Sequence, residues 1–91
     1  MLAAGARRVP YFYRTHAGAE IDLLLEKGGQ PEIAIEIKRS TAPSPNKGFA
    51  QACGDLGITR RYVVYSGSER FALRHDAQAI GLMEMCDLLR Q

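Results

Sequence analysis

Four side chains in the sequence have types and spacing suited to phosphate-ester chemistry: Glu20, Asp22, Glu36 and Lys38. Glu20 and Asp22 are two residues apart, as are Glu36 and Lys38, and a strand sends residues at that spacing to one face. Carboxylates crowded on a sheet face repel one another and become stable together when a divalent cation neutralises them. Oxygen donors of this kind suit Mg²⁺ or Mn²⁺. A lysine beside them can position or deprotonate a water, or stabilise the charge that develops on a phosphate. Cation, carboxylates and lysine make up the inventory for phosphodiester hydrolysis. The same residues also fit a plainer arrangement, a solvated hairpin face with a cross-strand ion pair between Glu20 and Lys38.

Two strands must position these groups. Residues 19–27 alternate, with Ile21, Leu23 and Leu25 on one face and Glu20, Asp22, Leu24 and Glu26 on the other. Residues 32–39 alternate in the same way, Ile33, Ile35 and Ile37 opposing Ala34, Glu36 and Lys38. Gly28-Gly29-Gln30 between them reads as a turn. A loop of those three residues pairs Lys27 with Pro31, which sets Asp22 opposite Glu36 and Glu20 opposite Lys38. A slip of one residue destroys the match.

The remaining elements follow from local signals. Residues 9–15, with Tyr11, Phe12 and Tyr13, favour a first strand, and His16-Ala17-Gly18 a tight turn. Pro43 and Pro45 require a loop, and Ser44 before Pro45 suits a helix start. Phe49, Ala50, Cys53 and Leu56 fall on one helical face, with Gly48 and Gly54 weakening the helix and Gly57 placed to end it. Residues 60–66 read as a buried strand, 71–74 and 77–82 as weaker strands, and 83–89 as a short terminal helix. The order predicts an α/β domain whose three-strand meander, helix and return strand build a mixed sheet.

Glu20-Ile21-Asp22 followed by Glu36-Ile37-Lys38 resembles the signature of PD-(D/E)XK nucleases in its Gly-x-Glu-x-Asp form, here Gly18 to Asp22. The resemblance implies a restriction-endonuclease-like fold, with Asp22 and Glu36 as metal ligands, Lys38 assisting the attacking water and Glu20 as an accessory group. It implies Mg²⁺ or Mn²⁺ as cofactor and DNA, ahead of RNA, as substrate. The longer run of Tyr11 to Thr15, Gly18 to Asp22, Ala34 to Ser40, Gly48-Phe49 and Arg61 to Tyr65 is similar to a domain of unknown function found at the C-terminus of bacterial and archaeal AAA-type ATPases. That likeness covers roughly residues 9–90 and implies an ATPase module as partner. The alternative it leaves open is a non-catalytic accessory module serving dimerisation or nucleic-acid binding. Two features of the family are missing. These 91 residues include no ATPase module, and residues 1–8 hold no acid and are not expected to form the helix bearing the upstream Glu of active nucleases. Those residues are expected to be poorly ordered, and 9–91 to form the single, N-terminally truncated domain. The lost helix should expose apolar sheet surface, open to a homodimer or a partner chain.

Bulk composition is permissive. Ninety-one residues make one small domain, 24% charged as in ordinary globular chains, and a net charge of +2 does not by itself call for nucleic acid. Cys53 and Cys86 have no CxxC or histidine neighbours and are expected to be buried, reduced thiols. No apolar run approaches the roughly 20 residues of a membrane span, and no signal peptide is evident, so a cytoplasmic protein is expected. No phosphate-binding Gly-rich loop followed by Lys and Ser or Thr occurs. His16, His75, Gln51, Arg39 and Ser40 are read as surface groups, and Tyr11, Phe12, Tyr13, Tyr62 and Tyr65 as strand aromatics packing the core.

Overall fold

The structure is a computed structural model that describes residues 7–90. The elements run β1 (Arg8–Arg14), β2 (Glu20–Lys27), β3 (Gln30–Ile37), α1 (Lys47–Leu56), β4 (Arg60–Tyr65), β5 (Phe71–Ala72), β6 (Ala77–Gly81) and α2 (Leu82–Leu89). One six-stranded sheet has the order β1-β2-β3-β4-β6-β5. β1, β2 and β3 are antiparallel, while β3, β4 and β6 are parallel and β5 returns antiparallel on the far edge. Parallel neighbours need a long crossover, and α1 supplies it between β3 and β4. The mixed α/β sheet expected from the sequence is therefore present. Of the expected poorly ordered N-terminus, residues 1–6 lie outside the described residues, and Arg8 opens β1.

Each face of the sheet carries its own core. On the α1 side, Ala19, Ile21, Leu24, Ala34, Phe49, Ala52, Cys53 and Ile58 pack together. On the α2 side, Leu25, Ile33, Ile35, Tyr62, Val64, Ile80 and Met85 do so. Strand alternation produces this division, since odd and even positions of β3 feed different clusters.

Two irregularities correct the expected hairpin. The turn has two residues, not three. Lys27 pairs with Gln30, and Gly28 and Gly29 both take positive φ (62° and 79°), as the tight I′ hairpin turn requires. A bulge then places one extra β3 residue between the Glu26–Pro31 and Leu25–Ile33 pairs. It restores the expected register from Leu25–Ile33 through Leu23–Ile35 toward the site. A second shift separates the Tyr11–Leu24 and Tyr13–Ile21 pairs and gives β2 one extra residue. Ile21 consequently joins Leu24 on the α1 side, rather than Leu23 and Leu25 as strict alternation predicts.

Other expectations shift as well. α1 begins at Lys47 with Asn46 as N-cap, not at Ser44-Pro45. Ala52, not Ala50, is its fully buried small residue. Gly57 ends it in the left-handed conformation, φ 69°, as expected of that glycine. Cys53 is buried, but Cys86 is exposed because α2 turns Met85 inward. Tyr62 and Tyr65 pack in the core, whereas Tyr11 and Phe12 are exposed because β1 is an edge strand that neither helix covers. No described helix is long and apolar enough to cross a membrane.

Candidate carboxylate and lysine site on the β2–β3 hairpin

Glu36 is the only charged side chain that is fully buried among the described residues, at 4% exposure. β3 places it there. Ala34, two residues earlier, is sealed against α1, so Glu36 enters the same space at the strand's end. Desolvation pushes its carboxyl above the ordinary range, and the nearby Asp22 charge adds to the rise. The Asn46 N–H and the Lys38 ammonium act in the opposite direction without cancelling it. A carboxylate in this state gains from any additional positive charge.

The neighbours are specific. The Asn46 backbone N–H donates to Glu36 Oε1 at 3.1 Å. Lys38 Nζ donates to Asn46 Oδ1 at 2.8 Å and stands 3.7 Å from Glu36 Oε2. Lys38 directly follows β3, and its own N–H donates to the Val64 carbonyl of β4 at 2.8 Å, which holds the strand end against β4. Asp22 Oδ2 accepts from the Ile37 N–H at 2.9 Å, which binds β2 to the end of β3. Glu20 pairs with Arg14 of β1 at 3.5 Å. Lys38 pairs with Glu36, so the plainer Glu20–Lys38 bridge is replaced by two different pairs.

Glu20, Asp22 and Glu36 line one small pocket of about 110 Å³, closed by Gly18, Asn46, Gly48 and Phe49. Lys38 adjoins it through Glu36 and Asn46. The hairpin thus gathers the four residues read from the sequence. Among the described residues, no three acidic, histidine or cysteine groups stand close enough to cage an ion by themselves. Two inward carboxylates fit a cation that keeps several waters and completes its shell with substrate phosphate, which is the habit of Mg²⁺. They do not fit a closed structural zinc or calcium site.

Asn46 is a candidate-site residue to which the hairpin pattern does not point. Its signal was an Asn directly before the helical pattern, where it is a favoured N-cap. Its backbone has the extended N-cap conformation, but its side chain makes no cap bond and is given to Lys38 instead. In the sequence Gly48 signals only a weaker α1. A Cβ there would collide with the Gly18 carbonyl oxygen, so the glycine lets α1 approach the β1–β2 turn and close the pocket. Gln51 turns away to Asp55 (2.9 Å), His16 and His75 are exposed, and Ser40 Oγ accepts from the Ala42 N–H at 2.9 Å. None of these lines the carboxylate pocket.

Fold and site together define a mixed-sheet α/β domain with a paired-carboxylate and lysine hairpin. Residues 1–85 match the family described as "Domain of unknown function (DUF4143)", and the chain belongs to that family. An uncharacterized protein of Mycobacterium tuberculosis strain H37Rv is 39% identical over 70 residues, and one of Mycobacterium bovis matches equally. The alignment covers 77% of this chain and 16% of each relative, so the chain spans a small part of their length. No solved structure matches.

Proposed function

We propose that this domain is a metal-dependent nuclease of the PD-(D/E)XK type that hydrolyses DNA phosphodiesters. The single observation that carries the reading is Glu36, a buried carboxylate with a raised pKa beside Asp22 and Lys38. Burying such a group costs stability unless a positive partner arrives. A fold that keeps it, with a lysine fastened 3.7 Å away, has the arrangement a catalytic site needs.

Asp22 and Glu36 would hold the Mg²⁺ or Mn²⁺. Bound there, the ion supplies Lewis-acid polarisation of a phosphoryl oxygen and a more acidic water. Glu36 accepts from the Asn46 N–H and stays fixed in direction as charge changes nearby. Lys38, anchored by Asn46, directs its ammonium toward the same space, where it orients water and offsets charge on the phosphate. The N-terminal turn of α1, which lines the pocket through Asn46, Gly48 and Phe49, contributes its positive dipole end. Glu20 at the rim is the accessory acid, held by Arg14.

The test is Mn²⁺ titration followed by NMR, together with cleavage assays on single- and double-stranded DNA in Mg²⁺. Paramagnetic broadening centred on Asp22, Glu36 and Lys38 is expected. Asp22→Ala should lose the broadening and lower cleavage by at least about 100-fold while keeping the fold. Cleavage that persists undiminished in the variant would sink the proposal. A second reading is a non-catalytic module of an AAA-type ATPase. It is favoured by the incomplete acidic cage and by the match to a small part of much longer relatives.

A further inference from the structure

We infer that the apolar face beside the hairpin is an isologous interface between two copies of this chain. A groove of about 820 Å³ on the described surface shares no lining residue with the carboxylate pocket, and Lys38 stands at its edge. Its floor is Leu23, Ile35 and Val64, and its walls include Ile37, Leu82 and Met83. Those three wall residues are 59%, 62% and 76% exposed. Phe12 extends the surface. Tyr11 and Tyr13, on either side of it, pair with Leu24 and Ile21 of the α1-side core, so Phe12 projects to the α2 side and is 89% exposed. Contiguous apolar surface of this kind marks an interaction site rather than ordinary solvent-facing scatter.

A second copy fits the face because the patch is self-complementary. A two-fold interface uses one patch twice, so the patch must present both a projection and its receptor. Leu82 and Met83 stand out at the first turn of α2, directly beside the groove they help to line. Rotating a second copy by half a turn lets each ridge enter the other's hollow. The rim has both signs of charge. Arg39 follows β3 and forms no ion pair among the described residues, while Glu84 and Asp87 stand on α2. Each acid holds one arginine of its own chain through a single oxygen, Glu84 with Arg70 and Asp87 with Arg90. The second oxygen of each has no hydrogen-bond partner among the described residues and can receive the Arg39 of a second copy. The pairing does not depend on catalysis, since none of these groups lines the carboxylate pocket.

Sedimentation equilibrium of the full chain tests the inference. The mass should rise with concentration from 10.0 kDa toward twice that value. Isotope-filtered NMR of the unaltered protein should show contacts between the Met83 methyl of one copy and the Ile37 methyls of the other. Ile37→Glu and Met83→Glu, both at positions exposed in the single chain, should each weaken association by at least about 100-fold, with a melting transition equal to that of the parent protein at concentrations where it is monomeric. Arg39→Glu should weaken it, and combining it with Glu84→Lys and Asp87→Lys should recover it. A chain that stays at 10.0 kDa at the highest concentration overturns the inference and gives the face to a segment of a longer polypeptide. A dimer indifferent to Ile37→Glu and Met83→Glu overturns it as well.

Discussion

Glu36 carries an energetic cost when it is ionised. Its folded pKa lies above 4.5, raised first by desolvation. For a raised carboxyl the sign is set by proton binding. The folded state holds the proton more tightly, so this group's contribution to stability is complete below the ordinary value and is lost as pH rises through the raised one. At neutral pH the ionised carboxylate therefore works against folding. Glu36→Gln should raise the melting temperature of metal-free protein at pH 7, read by thermal denaturation. Mg²⁺ should stabilise the parent chain and leave the variant unmoved, because binding to the folded state alone shifts the transition. Protons and cation compete for the same oxygen, so metal affinity should fall by about tenfold for each pH unit below the raised value.

α1 positions the site through its first turn, and its two glycines play different parts. Both lower intrinsic helix propensity. A Cβ at Gly48 would strike the Gly18 carbonyl, whereas one at Gly54 would meet nothing within 4 Å. Gly48→Ala should therefore destabilise the protein by roughly 1–3 kcal/mol despite its helical advantage, because backbone cannot move aside as a flexible side chain can. Gly54→Ala should stabilise it by about 0.5–1 kcal/mol. Urea denaturation of the two variants separates them by sign. The β2–β3 hairpin is governed just as locally. Gly28 and Gly29 set a two-residue turn, and the bulge that follows returns Leu23 to Ile35 and brings Asp22 to the Ile37 N–H.

Across the whole molecule, Arg8 joins three distant parts of the chain. It donates to Glu32 of β3 at 2.8 Å and to the Leu89 carbonyl at the end of α2 at 3.1 Å. Arg60 of β4 meets the same glutamate at 3.3 Å. The Arg8 hydrogen bond is the main cause of the lowered Glu32 pKa. The contribution of this cluster is complete above 4.5 and is lost as pH falls through the lowered folded value of Glu32. Arg8→Ala should cost about 1 kcal/mol at pH 7, since the pair is partly exposed and solvent screens it. The loss should shrink at acid pH, which chemical denaturation at two pH values measures.

The sequence by itself determined the strands, the helix that ends at Gly57, the mixed sheet and the four polar residues of the hairpin. These are written in short-range periodicity, where spacing alone decides which side chains share a face. The expected opposition of Asp22 and Glu36 rested on a three-residue loop. A two-residue turn and one bulge cancel to give that register from Leu25–Ile33 to Leu23–Ile35, but the ladder ends there, and Asp22 meets the end of β3 through its side chain on the Ile37 N–H instead. Alternation misplaced Ile21 because a bulge is invisible to a strict period of two. The exposure of Cys86 and Phe12 was also beyond reach, because helical and strand patterns mark an apolar face without saying whether anything covers it. Only the tertiary structure decided that Glu36 is buried and that Asn46 fastens it to Lys38. Desolvation and capping contacts depend on which helix end meets which strand end, and that meeting is set by long-range packing rather than by any local run of residues.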